Sequence, residues 1–494
     1  MWLSLLATAA LAAPRPCGTP WMAPLGPLRA PPAASLDGAL VERDATGTYP
    51  HALSSEHFIV KWGDTGEVTE DEVRALLAAF EDGWVTEVLE MEHPAPPGAD
   101  TYYFNVYLGD TGSGTPRSYG SAGYYNTDGD GYPMIVVARE TLYDPDYTAI
   151  TAVHEFYHAV QHGLGTYAYS GSAAWYWEAT AEWVSAYVYP DNPDTAVFLF
   201  SFAYLPYLPV NYFNYPDAGT LDEYHQYGAF IFPRYLSEHA ADWALVRDSW
   251  VLGGDSDPLV VLAGLLEARG LAFDDVFTAF VAHNAAWDYA DRDVYLYYMD
   301  YYSEWYYEED FRVADEIPAR GTDGWVAADK DTLPQRYGAN VLRLESPPAG
   351  EVTLRFQGEP LGSQGSAASF GVTAVVRDGA GVTYTRMPLT DQAGALTLSL
   401  SGEEEALYLS VAAWTDEEQS GETFDYAWGA EIASPAEGEG EGEGEKAVGC
   451  ACGAAGAAGR GGAALALLYA LGRARVSTRT PAPSSKRRSA STKG

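Results

Sequence analysis

Cysteine is scarce in this chain of 494 residues: there are three, Cys17, Cys450 and Cys452, all near the ends. The long stretch between Cys17 and Cys450 therefore holds no disulfide, and a cysteine-ligated metal site is excluded within it. Positive charge is scarce as well. Lys and Arg number 28 against 69 Asp and Glu, a formal net charge of −41. That balance argues against nucleic acid or an anionic membrane as partner, and it favours a soluble surface outside the cytoplasm. The leading segment Met1 to Ala12 lacks the basic residues that usually open a secretory leader, yet its Leu- and Ala-rich run with a small-residue end reads as a signal peptide over residues 1–12. Pro14-Arg15-Pro16 ahead of Cys17 is a poor match to a lipoprotein signal, so no N-terminal lipid is expected. Residues 13–50, rich in Pro, Ala and Leu without periodicity, are expected as linker or pro-segment. What the chain has in excess is aromatic surface, with 36 Tyr and 14 Trp, suited to polar-tipped grooves as well as to an ordinary core.

The chemistry concentrates at Thr151 to Gln161, which contains His154-Glu155-Phe156-Tyr157-His158. On a helix, residues four apart share a face about 6 Å apart, so both imidazoles can reach one ion with Glu155 beside them. Asp144-Pro145 supplies a cap and a first-turn proline, and Gly163 and Gly165 supply the stop. A catalytic zinc takes three side chains and leaves a fourth position for water. His162 is eight residues past His154, roughly 12 Å along a straight helix, too far to share the ion. It reads instead as a histidine at the helix C-terminus. The better source is Trp175 to Trp183, a second helix with Ser170-Gly171-Ser172 ahead of it and Pro190 after it. Glu178 and Glu182 lie one turn apart on it, a repulsive pair unless a cation compensates them.

This pattern resembles the gluzincins, the thermolysin-like class of zinc peptidases: an H-E-x-x-H helix, a glutamate ligand on a later helix, and an acid one turn beyond. The spacing 178 − 158 = 20 is similar to theirs. The resemblance implies His154, His158 and Glu178 as zinc ligands, Glu155 as general base, and Glu182 as the acid that orients His154. It also implies an α+β fold of two lobes over residues 51–320, a mixed-sheet N-terminal lobe and a helical C-terminal lobe, with a peptide or protein as substrate.

Strands are expected at His57–Trp62, Tyr102–Leu108 and Met134–Val137, with a helix from Thr69 to Glu90. The resemblance makes Met134–Val137 the strand that pairs with extended substrate. Asn126-Thr-Asp128-Gly-Asp130-Gly131 imitates the start of a calcium loop, but its twelfth position is Val137, so a turn held by Asx hydrogen bonds is expected over bound Ca2+. A developing oxyanion needs a donor besides the metal, and Tyr227, His225 and Tyr224, in that order, are the candidates on the helix expected at Tyr224–Leu236. Helical patterns continue at Trp243–Trp250, Asp257–Ala268 and Phe273–Trp287. From about residue 330 to 433, short strands with Gly, Pro and Asp turns read as a β-sandwich accessory domain. A Glu-Gly linker follows at 434–446 and a tail at 447–494. The tail, with Gly449-Cys450-Ala-Cys452-Gly453, an apolar run and a basic end, resembles myxobacterial surface-sorting tails; Arg460 interrupts it and leaves a segment short for a membrane span. Secretion or display at a Gram-negative cell surface, with membrane anchoring through the tail, is the corresponding expectation. The rival from another class is a noncatalytic surface adhesin with a structural zinc site. An aminopeptidase is disfavoured for want of an acidic motif to anchor a free amine, which leaves an endopeptidase.

Overall fold

The computed structural model describes residues 15–29, 40–44, 48–112, 114–214, 221–254, 257–306, 313–417 and 421–433. The expected signal segment, the Glu-Gly linker and the tail with Cys450 and Cys452 lie outside the described residues. The architecture is α+β, with mixed sheets and a large helical portion.

A short α1 (Thr19–Met22) precedes a five-stranded sheet of β1 (His51–Ser54), β2 (Phe58–Trp62), β3 (Phe104–Gly109), β4 (Gly123–Thr127) and β5 (Pro133–Ala138), in the order β1-β2-β3-β5-β4. Strands β2, β3 and β5 run parallel, and the outer strands β1 and β4 are antiparallel to their neighbours. Strand β5 is flanked on both sides, so Met134–Val137 has no free edge for substrate; β4 is the outer strand on that side, and residues 16–19 bond along it. The reason is the turn at Asn126–Gly131, which folds β4 and β5 into a hairpin. Asp128 Oδ1 accepts from the N–H groups of Asp130 and Tyr132 at 2.9 and 3.0 Å, and its Oδ2 pairs with Arg43 at 2.5 Å. The Asx turn is present, and the Asp128 carboxylate bonds to it and to Arg43.

Helix α2 (Glu70–Trp84) starts in a capping box, Thr69 accepting from the Glu72 N–H while Glu72 accepts from the Thr69 N–H, and continues as a π-helical turn over Val85–Glu90. Helix α3 (Pro145–Leu164) is capped by Asp144, which accepts from the N–H groups of Asp146 and Tyr147, and it ends at Gly165 with φ +63°. It lies against the sheet through Phe156, whose ring sits 5.0 Å from Phe58 and 5.6 Å from Phe104. Helix α4 (Ala174–Val188) is buried almost all round, which its sequence of Ala, Trp, Tyr and Val anticipates. A 3-10 turn at Gly171–Ala173 leads into it, so neither Ser170 nor Ser172 caps it.

Helices α5 (Leu199–Tyr204), α6 (Leu221–Gly228), α7 (Ile231–Tyr235), α8 (Trp243–Leu252), α9 (Pro258–Glu267), α10 (Phe273–Ala286) and α11 (Arg292–Tyr306) complete the helical portion. The single helix expected at Tyr224–Leu236 is two. Pro233 has no N–H to donate, and the break ahead of it puts the residue in the first turn of α7, where none is needed.

The remaining strands are β6 (Asp315–Glu316), β7 (Val326–Ala327), β8 (Gly338–Glu345), β9 (Gly350–Gly358), β10 (Ser369–Asp378), β11 (Gly381–Arg386), β12 (Ala393–Leu400), β13 (Ala406–Trp414) and β14 (Tyr426–Ile432). They form two sheets, β11-β10-β13-β8-β6 and β12-β9-β14-β7. Both contribute to one core: Val372, Leu409 and Val411 come from the first, Leu354, Phe356 and Trp428 from the second. The first sheet also meets α10, where Ala282, Ala285 and Ala286 pack with Val341, Val375 and Tyr408. No helix among the described residues is long and apolar enough to cross a membrane.

Candidate metal centre

Helices α3 and α4 bring His154, His158, Glu178 and Glu182 together. His154 Nε2 lies 3.1 Å from His158 Nε2 and 3.1 Å from Glu178 Oε2, and His158 Nε2 lies 3.6 Å from Glu178 Oε1. The fourth member comes from the N-terminal segment: Cys17 Sγ is 3.5 Å from His158 Nε2. Ligand atoms of Cys17, His154, His158 and Glu178 all lie within 4.8 Å of one another, and all four residues are buried. A tetrahedral ion at about 2.0–2.3 Å from such atoms separates them by roughly 3.3–3.6 Å, so the set has the dimensions of a single-ion site.

The donor chemistry also calls for a cation. Gln161 gives its amide N–H groups to the Trp177 carbonyl and Thr180 Oγ1, each at 3.0 Å, and turns its oxygen to His158 Nδ1 at 2.7 Å. By these partners His158 carries its proton on Nδ1 and aims a bare Nε2 lone pair into the cluster. Glu182 Oε1 lies 3.3 Å from His154 Nδ1 and sets that ring the same way. Two imidazole lone pairs, a carboxylate and a sulfur then converge within 4.8 Å of one another. With protein groups alone to balance the charge, His154 is pushed well above its ordinary value: burial opposes this, and hydrogen bonds with Cys17, Glu178 and Glu182 override burial. Glu178 goes the other way. Burial would raise it, but His158 and His154 hold it down at about 2. Burial, followed by repulsion from Glu155 and Glu178, keeps the Cys17 thiol well above its usual range. The group could hold a metal ion.

Glu155 lies beside the set on α3, and its Oε2 accepts from Thr19 Oγ1 at 3.1 Å. Burial raises its pKa; Glu178 adds to that, and the two histidines oppose it. A cleft of ≈ 290 Å³ reaches Glu155, His154, Glu182 and Cys17.

The three oxyanion candidates separate. The Tyr227 ring is 6.3 Å from that of His154, and its hydroxyl donates to the Cys17 carbonyl at 3.2 Å. His225, two residues and therefore about 200° around α6, packs instead against Phe202 and Tyr212, and burial drives it down to about 3. Tyr224 packs against Phe198, tilted, and Phe200, edge-on, in the core. His162 bonds Tyr125 Oη through Nδ1 at 2.8 Å, outside the cluster.

Four participants escaped the sequence reading. Gln161 was legible, being one turn from His158. Tyr169 donates to Glu178 Oε1, and Thr19 reaches Glu155; neither stands out in sequence. Cys17 carried only the signal of an unpaired cysteine in a segment expected as linker.

Residues 31–432 match a family of unknown function, DUF6055. The chain belongs to that family. No curated protein matches this DUF6055 member. Among solved structures, one described as a novel family GH115 4-O-methyl-alpha-glucuronidase with specificity for decorated arabinogalactans is similar at 9% identity and a TM-score of 0.14, over 59% of this chain and 39% of that one. The chain thus spans well under half the length of that structure, and a likeness this slight bears on neither fold nor function.

Proposed function

We propose that this DUF6055 member is an exported zinc-dependent metallopeptidase of gluzincin-like organisation, with His154, His158 and Glu178 holding the ion. The observation that supports this most directly is the pair of imidazole Nε2 atoms 3.1 Å apart, each ring set through its Nδ1 to face the same point as Glu178. Imidazole, carboxylate and thiolate donors suit zinc better than magnesium or calcium. Zinc in such a site supplies Lewis acidity and an acidified water. Glu155, buried beside the ligands with a raised pKa, is the general base that takes a proton from water and passes it to the leaving amine. Tyr227 is the donor for the developing oxyanion; its hydroxyl already holds one backbone carbonyl, that of Cys17. Glu182 and Gln161 keep the ligand rings in register. The outer edge of β4, where residues 16–19 already bond in extended form, suits an extended peptide backbone more than a chain terminus, which favours an endopeptidase. The two C-terminal sheets are read as an appended β-sandwich.

A second reading has one observation in its favour. Four protein groups around one ion is the composition of a structural site, as in a noncatalytic adhesin. Digestion of casein by the Cys17→Ser chain, which lacks the fourth group, separates the two. Hydrolysis that stops with chelator and with Glu155→Gln, while the Glu155→Gln chain still binds one zinc, is the outcome expected of a peptidase. A Cys17→Ser chain that digests casein as fast with Glu155→Gln added as without it rules out the base assigned here.

A further inference from the structure

We infer that Cys17 is the fourth ligand of the metal, and that residues 15–22 form an inhibitory strap which must leave before a peptide can be cut. The inference deepens the peptidase reading and rests on it. The strap lies along the outer edge of β4. The Ala122 N–H donates to the Pro16 carbonyl at 3.1 Å, the Gly18 N–H donates to the Gly123 carbonyl at 2.8 Å, and the Tyr125 N–H donates to Thr19 Oγ1 at 2.8 Å. It therefore takes the backbone positions by which an added peptide strand would pair with this sheet.

Every reactive element assigned above is engaged by the same few residues. Cys17 Sγ faces His158 Nε2, Thr19 Oγ1 donates to the base Glu155, and the Cys17 carbonyl receives the Tyr227 hydroxyl. The Thr19 N–H also points at Cys17 Sγ at 3.3 Å, a donor suited to a thiolate. Binding as thiolate releases the thiol proton to solvent. Leaving exchanges sulfur for water at the ion, with no change of oxidation state. Glu155 and the Tyr227 hydroxyl lose their contacts with residues 17–19 and the β4 edge is uncovered in one movement, because one short segment touches all three.

The test uses the full chain loaded with Co2+ in place of zinc. A thiolate-to-cobalt charge-transfer band is expected in the near ultraviolet, and it disappears in Cys17→Ser while one metal per chain is retained. Casein digestion rises from background in Cys17→Ser. A second variant leaves the thiol in place: a Cβ at Gly18 would lie 2.8 Å from Ser121 Oγ and 2.9 Å from its Cβ, so Gly18→Leu lifts the strap. In Gly18→Leu the thiol gains reactivity toward a disulfide reagent, and digestion rises as well. Metal bound at one per chain without the charge-transfer band overturns the Cys17 assignment and leaves the peptidase reading intact. A band that is present, with digestion by the unaltered chain as fast as by both variants, overturns the strap and leaves the peptidase reading intact; a band with no digestion by any of the three chains overturns the peptidase reading and marks a closed structural centre.

Discussion

His158 is fixed at both ring nitrogens, and the two contacts have different jobs. Nε2 faces the ligand cluster, while Nδ1 meets Gln161, whose own amide is anchored to the Trp177 carbonyl and Thr180 on α4. The same helix that supplies Glu178 thus also holds the residue that orients His158. Partners of this kind are worth about 10–100-fold in metal affinity. Gln161→Leu is expected to weaken zinc binding by about that factor, read by competition with a chromogenic chelator; an unchanged affinity would show that the ring is held by packing against Trp177 and Tyr169 alone.

At the scale of elements, the site depends on how closely β4 approaches α3. Gly123 on β4 faces Glu155: a Cβ there would lie 3.1 Å from Glu155 Cγ, 3.1 Å from the Val136 carbonyl and 3.2 Å from Thr151 Cγ2. Two of these three neighbours are on the metal helix and one is backbone, so little can yield. Gly123→Val is expected to cost about 1–3 kcal/mol of stability through overpacking and to displace Glu155 while the zinc ligands stay in place. Denaturant melts and metal analysis check the first and last points, and loss of casein digestion in the Cys17→Ser background checks the second. Full digestion with a displaced melt would remove Glu155 from the base role.

For the whole molecule, buried neutral histidines set the response to acid. Burial depresses His93 and His162 to about 4, lowers His283, and takes His225 to about 3. As pH falls below 6.5 the unfolded chain takes up protons at these residues and the folded chain does not, so stability is lost toward acid. Each fully buried one contributes about 1.4 kcal/mol per pH unit over that window. His154, drawn upward by Cys17, Glu178 and Glu182, acts in the opposite sense, as do the buried carboxyls of Glu87 and Glu155, which burial raises. The melting temperature is expected to fall between pH 6.5 and 5; a flat or rising profile by calorimetry would mean that these rings are hydrated and charged in the folded protein.

The sequence by itself determined what is local in the chain. The histidine pair His154 and His158, the Asp144 cap and the Gly165 stop follow from helix geometry over one to five turns, and Glu178 and Glu182 follow from the like-charge pair on an otherwise apolar helix. Strand and helix placement in the C-terminal region was legible in part from alternation and spacing, although α11, β6, β7, β11 and β14 were not anticipated. Tertiary structure alone decided which strand is outermost, because strand order is set by the β4–β5 hairpin folding outside β5, and residue patterns in single strands do not encode order. It also separated Tyr227 from His225, since the direction of α6 relative to α3 chooses which of two faces meets His154. Above all it placed Cys17 at the site: residues 141 apart in sequence are joined only by backbone pairing along a sheet edge, which any extended segment can make and which leaves no mark in the residues that make it.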